Sequence, residues 1–138
     1  MRNRIQDKLL EIGRYGCYFL CLLKIAECEG RRVEDIVTFY DAFTLDGLMK
    51  RNCFVVNPKG ILERLLNKHA IYKYVDGDYK DDDYDYVIKR FVLRNDGSEL
   101  THFVLYTDGG AAEFDPAPDS KVKACGIVKD CRCFSFIK

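Results

Sequence analysis

A cysteine, a histidine and an aspartate can together open an acyl bond, and this chain carries them in a suggestive order. Cys17 stands in Arg14-Tyr15-Gly16-Cys17-Tyr18-Phe19-Leu20, where a glycine turn feeds an apolar stretch of helical character. His102 belongs to His102-Phe103-Val104-Leu105-Tyr106, which reads as a strand, and the chain returns through Thr107-Asp108-Gly109-Gly110 to Phe114-Asp115-Pro116. The attacking species is a thiolate, so a reactive cysteine needs its pKa lowered from about 8.5. The positive end of a helix and a neighbouring imidazolium both do this. At Gly16-Cys17 the first N–H groups of the helix would serve that purpose and could also hold an oxyanion on the attacked carbonyl. The glycine permits close approach. Read in isolation, Cys17 is first of all a small buried apolar residue.

The histidine and the aspartate are linked by strand geometry. If Asp108-Gly109 forms a two-residue hairpin tip, Thr107 pairs with Gly110, and the same register places His102 directly across from Asp115. Opposed residues of an antiparallel pair share a face, with Cβ atoms about 4.5–5.5 Å apart. An odd loop or a bulge would break that relation. Asp115 could then orient the ring and stabilise its imidazolium form while the other ring nitrogen faces Cys17. The plainer alternative makes His102 a satisfied strand residue and Asp115 a turn starter before Pro116. His69, the only other histidine, follows a helical segment and is the fallback base.

The positioning elements can be read from apolar periodicity. Ile5, Leu9 and Ile12 predict a short amphipathic helix over Asn3 to Ile12. Gly16 to Glu29 is apolar around most of its girth and predicts a central buried helix. Val33 to Phe43 and Gly60 to Lys68 predict two more, with a short strand at Asn52 to Val56 between them. From Ile71 the pattern becomes β: Ile71 to Val75, Tyr84 to Arg94, Thr101 to Tyr106, Ala111 to Phe114 and Cys133 to Ile137. Helices first and strands afterwards predict an α+β domain with an antiparallel sheet.

Composition narrows the rest. A chain of 138 residues, 48% apolar, suits one globular domain able to build a core without staples. Lys plus Arg and Asp plus Glu number 22 each, so no net field recruits nucleic acid or an anionic membrane. The run Tyr15 to Leu23 is too short to span a bilayer. Asp7 and Glu11 before it, Lys24 after it and the missing cleavage site argue against a signal peptide. Cysteines number seven, and five of them (Cys17, Cys21, Cys28, Cys53 and Cys133) sit among large apolar or aromatic residues. That pattern suits reduced thiols in the cytoplasm.

Cys21 and Cys28 read as packing residues of the same helix. Cys125, Cys131 and Cys133 lack the paired spacing of structural zinc sites. Asp76 to Asp85 holds six carboxylates, without the spacing or closing glutamate of a calcium loop, and reads as a solvated connection. No cofactor and no metal are expected.

The motif Tyr15-Gly16-Cys17-Tyr18-Phe19-Leu20, followed by His102-Phe103-Val104 and Phe114-Asp115-Pro116, resembles the papain-like cysteine peptidases. It is nearest the compact bacterial type that cleaves double-glycine leader peptides. The whole string also resembles a bacterial and prophage family known only as a domain of unknown function. The peptidase resemblance rests on chain order and three short motifs. It implies one papain-like α+β domain over residues 1–138, its N-terminal helices packed on a C-terminal antiparallel sheet. It also implies Cys17 as nucleophile, His102 as general base and then acid, and Asp115 as the orienting partner.

Papain-like enzymes place a glutamine about six residues before the cysteine to complete the oxyanion hole, and here that position is Glu11. An ionised carboxylate repels an oxyanion. Gln6 and Asn3 are the other candidate donors, although neither has the family's spacing. The expected activity is hydrolysis of a peptide or isopeptide bond in a peptide or protein substrate. A catalytically silent domain that binds a peptide or protein, and a phage-associated cell-wall amidase of NlpC type, are the alternatives. Substrate specificity and oligomeric state have no sequence signature.

Overall fold

The computed structural model describes Ile12 and residues 15–137. The chain divides into two compact units, the first ending at Lys68 and the second beginning at His69. The predicted helix Asn3 to Ile12 lies, apart from Ile12, outside the described residues.

The first unit is built on helices. Helix α1 (Cys17–Cys28) buries Tyr18, Phe19, Cys21, Leu22, Leu23, Ile25 and Ala26, as its nearly all-round apolar character requires. Helix α2 (Ile36–Leu45) presents Tyr40 and Phe43, whose rings meet Phe19 edge-on at 6.4 and 6.3 Å. It begins three residues later than its periodicity predicted because Asp35 is the N-cap. The Asp35 carboxylate accepts the Thr38 N–H at 3.1 Å and the Thr38 hydroxyl at 2.6 Å.

The expected strand Asn52 to Val56 shrinks to β2 (Phe54–Val55), paired with β1 (Met49–Lys50). Asn52 and Cys53 take left-handed conformations (φ 61° and 57°) inside a 3₁₀ turn and cannot extend the strand. Helix α3 (Pro58–Leu66) starts two residues early. Asn57 caps Gly60 at 2.8 Å, and Pro58 fills the first helical position, where no N–H is needed.

The second unit is one antiparallel sheet. Its strands are β3 (Ala70–Asp76), β4 (Tyr86–Asn95), β5 (Ser98–Thr107), β6 (Ala112–Phe114) and β7 (Ile127–Phe136), ordered β3-β7-β4-β5-β6. Strands β4 and β5 join through Asp96-Gly97, both at positive φ, a two-residue turn whose twist suits a hairpin. Strand β7 begins six residues before the predicted Cys133. Charged Lys129, Asp130 and Arg132 disguise its first half, yet Asp130 is fully buried. Helix α4 (Lys121–Cys125), opened by Ser120, has no counterpart in the sequence reading. The mixed α+β class and the antiparallel sheet agree with expectation. Among the described residues no helix is long and apolar enough to cross a membrane.

The acidic connection is only partly solvated. Tyr79 folds back onto Val87, Cys131 and Cys133, with Tyr84 packed beside it. The Tyr79 N–H donates to the Cys131 sulfur at 3.4 Å, and Asp78 pairs with Lys89 at 2.7 Å.

Candidate active site

Cys17 is the first residue of α1 and is half-buried. Gly16 precedes it for a steric reason. A Cβ there would lie 2.3 Å from the Ile12 carbonyl oxygen, which accepts the Gly16 N–H at 2.7 Å. Since φ at Gly16 is −94°, the glycine supplies space rather than an unusual backbone angle. The chain therefore passes so close to Ile12 that only glycine can deliver the cysteine to this helix start.

In the second unit His102 and Asp115 come together. His102 Nε2 lies 2.6 Å from Asp115 Oδ1, and the two side chains keep only 4% and 7% of their exposure. The register that achieves this differs from the one expected. Asp108 and Gly109, at φ 54° and 66°, form a 3₁₀ turn closed by Ala111 N–H to Asp108 C=O at 3.2 Å. The turn thus spans four residues and Thr107 pairs with Ala112 instead of Gly110. The register moves by two residues, which leaves every side chain on its face because the strand period is two. His102 and Asp115 are accordingly diagonal neighbours, within reach of a ring and a carboxylate.

Strand β6 ends at Phe114, so Asp115 sits at the sheet's rim. Its Oδ1 also accepts the Ala117 N–H at 2.9 Å. Pro116 has no N–H, and Ala117 is therefore the first donor available to such a turn. One oxygen of Asp115 thus both starts the turn and meets His102. Oδ2 is buried without a hydrogen-bond donor, and the Lys123 ammonium stands 3.7 Å away. Lys123 also pairs with Glu113, whose hydrogen bond raises the pKa of the lysine. Burial, followed by the Glu113 charge, pushes the nearby Tyr106 hydroxyl up and keeps it neutral.

Sequence reasoning did not identify Lys123. The one available signal was Ser120 ahead of Lys121-Val122-Lys123, an N-cap before a very short helix.

Asn3, Gln6 and Glu11 lie outside the described residues. His69 is exposed and uses its carbonyl to accept the Ile137 N–H at 3.1 Å, a sheet contact. Cys131 and Cys133 are completely buried. Burial pushes the Cys133 thiol up to about 11, with Cys131 adding to the effect, and burial also raises Cys131. Neither is poised as a nucleophile. Among the described residues no three His, Cys, Asp or Glu side chains converge as metal ligands.

No curated protein and no solved structure matches this chain significantly. A family model described as "Protein of unknown function, DUF261" matches residues 1–136, and the chain belongs to that family.

Proposed function

We propose that this protein is a thiol hydrolase acting on peptide or isopeptide bonds, with Cys17 as nucleophile and the His102–Asp115 pair as its base. The hydrogen bond of 2.6 Å between His102 Nε2 and Asp115 Oδ1 carries the reading. A carboxylate on Nε2 sets Nδ1 as the nitrogen that exchanges a proton with the thiol and leaving group. Gly16 and the start of α1 lend weight, since a thiolate there sits at the positive end of a helix.

In this reaction the Cys17 thiolate attacks the carbonyl carbon and a C–S bond forms. The C–N bond breaks as the His102 imidazolium protonates the departing amine. Water, deprotonated by His102, then attacks the acyl-enzyme, releasing the acid and restoring the thiolate–imidazolium pair. An NlpC-type amidase acting on cell-wall peptides is a variant with the same machinery. The cytoplasm suits a chain whose Cys21, Cys53, Cys131 and Cys133 are buried among apolar side chains.

One observation favours a second reading, a papain-like domain that binds a peptide or protein without cleaving it. The dyad is nearly sealed from solvent, as a purely structural ion pair would be. Iodoacetamide labelling as a function of pH, mapped by mass spectrometry in wild type and His102→Ala, separates the two. A hydrolase requires Cys17 to label with an apparent pKa well below about 8.5, and to lose that reactivity without His102. Ordinary labelling that ignores His102 refutes the hydrolase.

A further inference from the structure

Asp115 spends both of its hydrogen bonds on one oxygen. Oδ1 takes His102 and Ala117, whereas Oδ2 is buried and receives no hydrogen bond. The Lys123 ammonium, 3.7 Å from Oδ2, is held there by a firmly seated element. Helix α4 buries Val122, and Ser120 caps it by accepting the Val122 N–H at 3.2 Å. At its end a Cβ on Gly126 would lie 2.4 Å from both the Val92 and the Val122 carbonyl oxygens. The helix is thus pressed against the backbone of β4, in the sheet that carries His102.

We infer that Lys123 is a positioning residue for the His102–Asp115 dyad: its ammonium, shared between Glu113 and Asp115 Oδ2, keeps Oδ1 on the imidazole and lowers the imidazole's proton affinity. An aspartate alone beside a histidine strongly favours imidazolium. A cation on the far oxygen withdraws part of that field. His102 is then poised to gain a proton in one step and give it up in the next. This catalytic use rests on the hydrolase reading above; the electrostatic coupling does not.

Glu113 on β6 is the second partner of Lys123, and Tyr106 on β5 is neutral. On β4, Phe91 opposes His102 and carries no charge, while Lys89, opposite Val104, is tied to Asp78. Beyond Asp115 itself, Lys123 and Glu113 are side chains whose replacement should move His102.

The chain has two histidines, so proton NMR titration of the ring Cε1–H signals, assigned with His69→Gln, reads His102 directly. Lys123→Met should raise the His102 pKa by roughly 0.5–1 unit, and Lys123→Arg should leave it within about 0.2 unit. A Lys123→Met value within about 0.2 unit of wild type, or below it, overturns the inference. Should Lys123→Met fail to fold, Glu113→Gln serves instead. It removes a carboxylate and leaves the ammonium to Asp115, so His102 must shift downward, and an unchanged or higher value is refuting. Ordinary Cys17 labelling together with a shifted His102 overturns the catalytic use but upholds the coupling. Activated Cys17 with an unmoved His102 overturns the coupling alone.

Discussion

Replacing Asp130 with asparagine should destabilise the sheet by about 3 kcal/mol at neutral pH, within the range for breaking a buried ion pair. Asp130 is 1% exposed on β7 and joins three strands. From β4, Arg90 donates through Nε at 3.0 Å to Oδ1 and through Nη2 at 2.7 Å to Oδ2. From β3 the Tyr74 hydroxyl donates at 2.7 Å, and Arg132 pairs from β7 itself. Burial raises the carboxyl's proton affinity, but the bonds from Arg90 and Tyr74 and the Arg132 charge outweigh it, holding the pKa down to about 2.

Relative to an ordinary value of 3.8, that depression is worth about 2 kcal/mol at neutral pH. Because the folded pKa is the lower one, this stability is fully present above about pH 4 and disappears as pH falls toward 2. The remainder of the variant's cost comes from two guanidinium groups that lose the buried carboxylate they share, although Arg90 keeps Glu99 at 3.7 Å. Urea unfolding followed by far-UV circular dichroism, in wild type and Asp130→Asn from pH 7 to pH 2, tests both parts; the chain has no tryptophan to follow instead. The gap between the curves should narrow by about 2 kcal/mol between pH 4 and pH 2, since protonated aspartate resembles asparagine. A gap below about 1 kcal/mol at pH 7, or one that keeps its size in acid, would refute the reasoning.

Two further outcomes follow from the same structure. Gly16→Ala should cost about 1–3 kcal/mol in chemical denaturation, because the added methyl overlaps the Ile12 carbonyl, and an unchanged midpoint would contradict that close approach. Under native conditions at pH 8, Cys131 and Cys133 should stay unlabelled by iodoacetamide while exposed Cys28 and Cys125 react; labelling of Cys133 before unfolding would show that the Tyr79 cover does not hold.

Where local chemistry decides, the elements were legible in advance. The girth of α1 and the β-branched and aromatic runs of β3, β4 and β5 are local signals carried by the residues themselves. Boundaries moved where a single side chain competes with periodicity, as when Asp35 caps α2 or Asn57 starts α3. Strand β7 was half missed because its charges resemble a loop. Only burial against Arg90, forty residues earlier in the chain, makes Asp130 an interior residue.

The candidate site divides in the same way. That His102 and Asp115 share a face was readable in the sequence for any turn of even length, because a hairpin register can slip by two residues without turning any side chain over. The need for glycine before Cys17 was likewise visible, although its cause, the Ile12 carbonyl, was not. The actual register, the bond at Nε2, the bare Oδ2 and the approach of Lys123 were decided by tertiary structure alone. They depend on how a 3₁₀ turn spends its residues and on where a five-residue helix lands on β4. Neither choice has an energy that local sequence can set, because both are made by contacts between segments far apart in the chain.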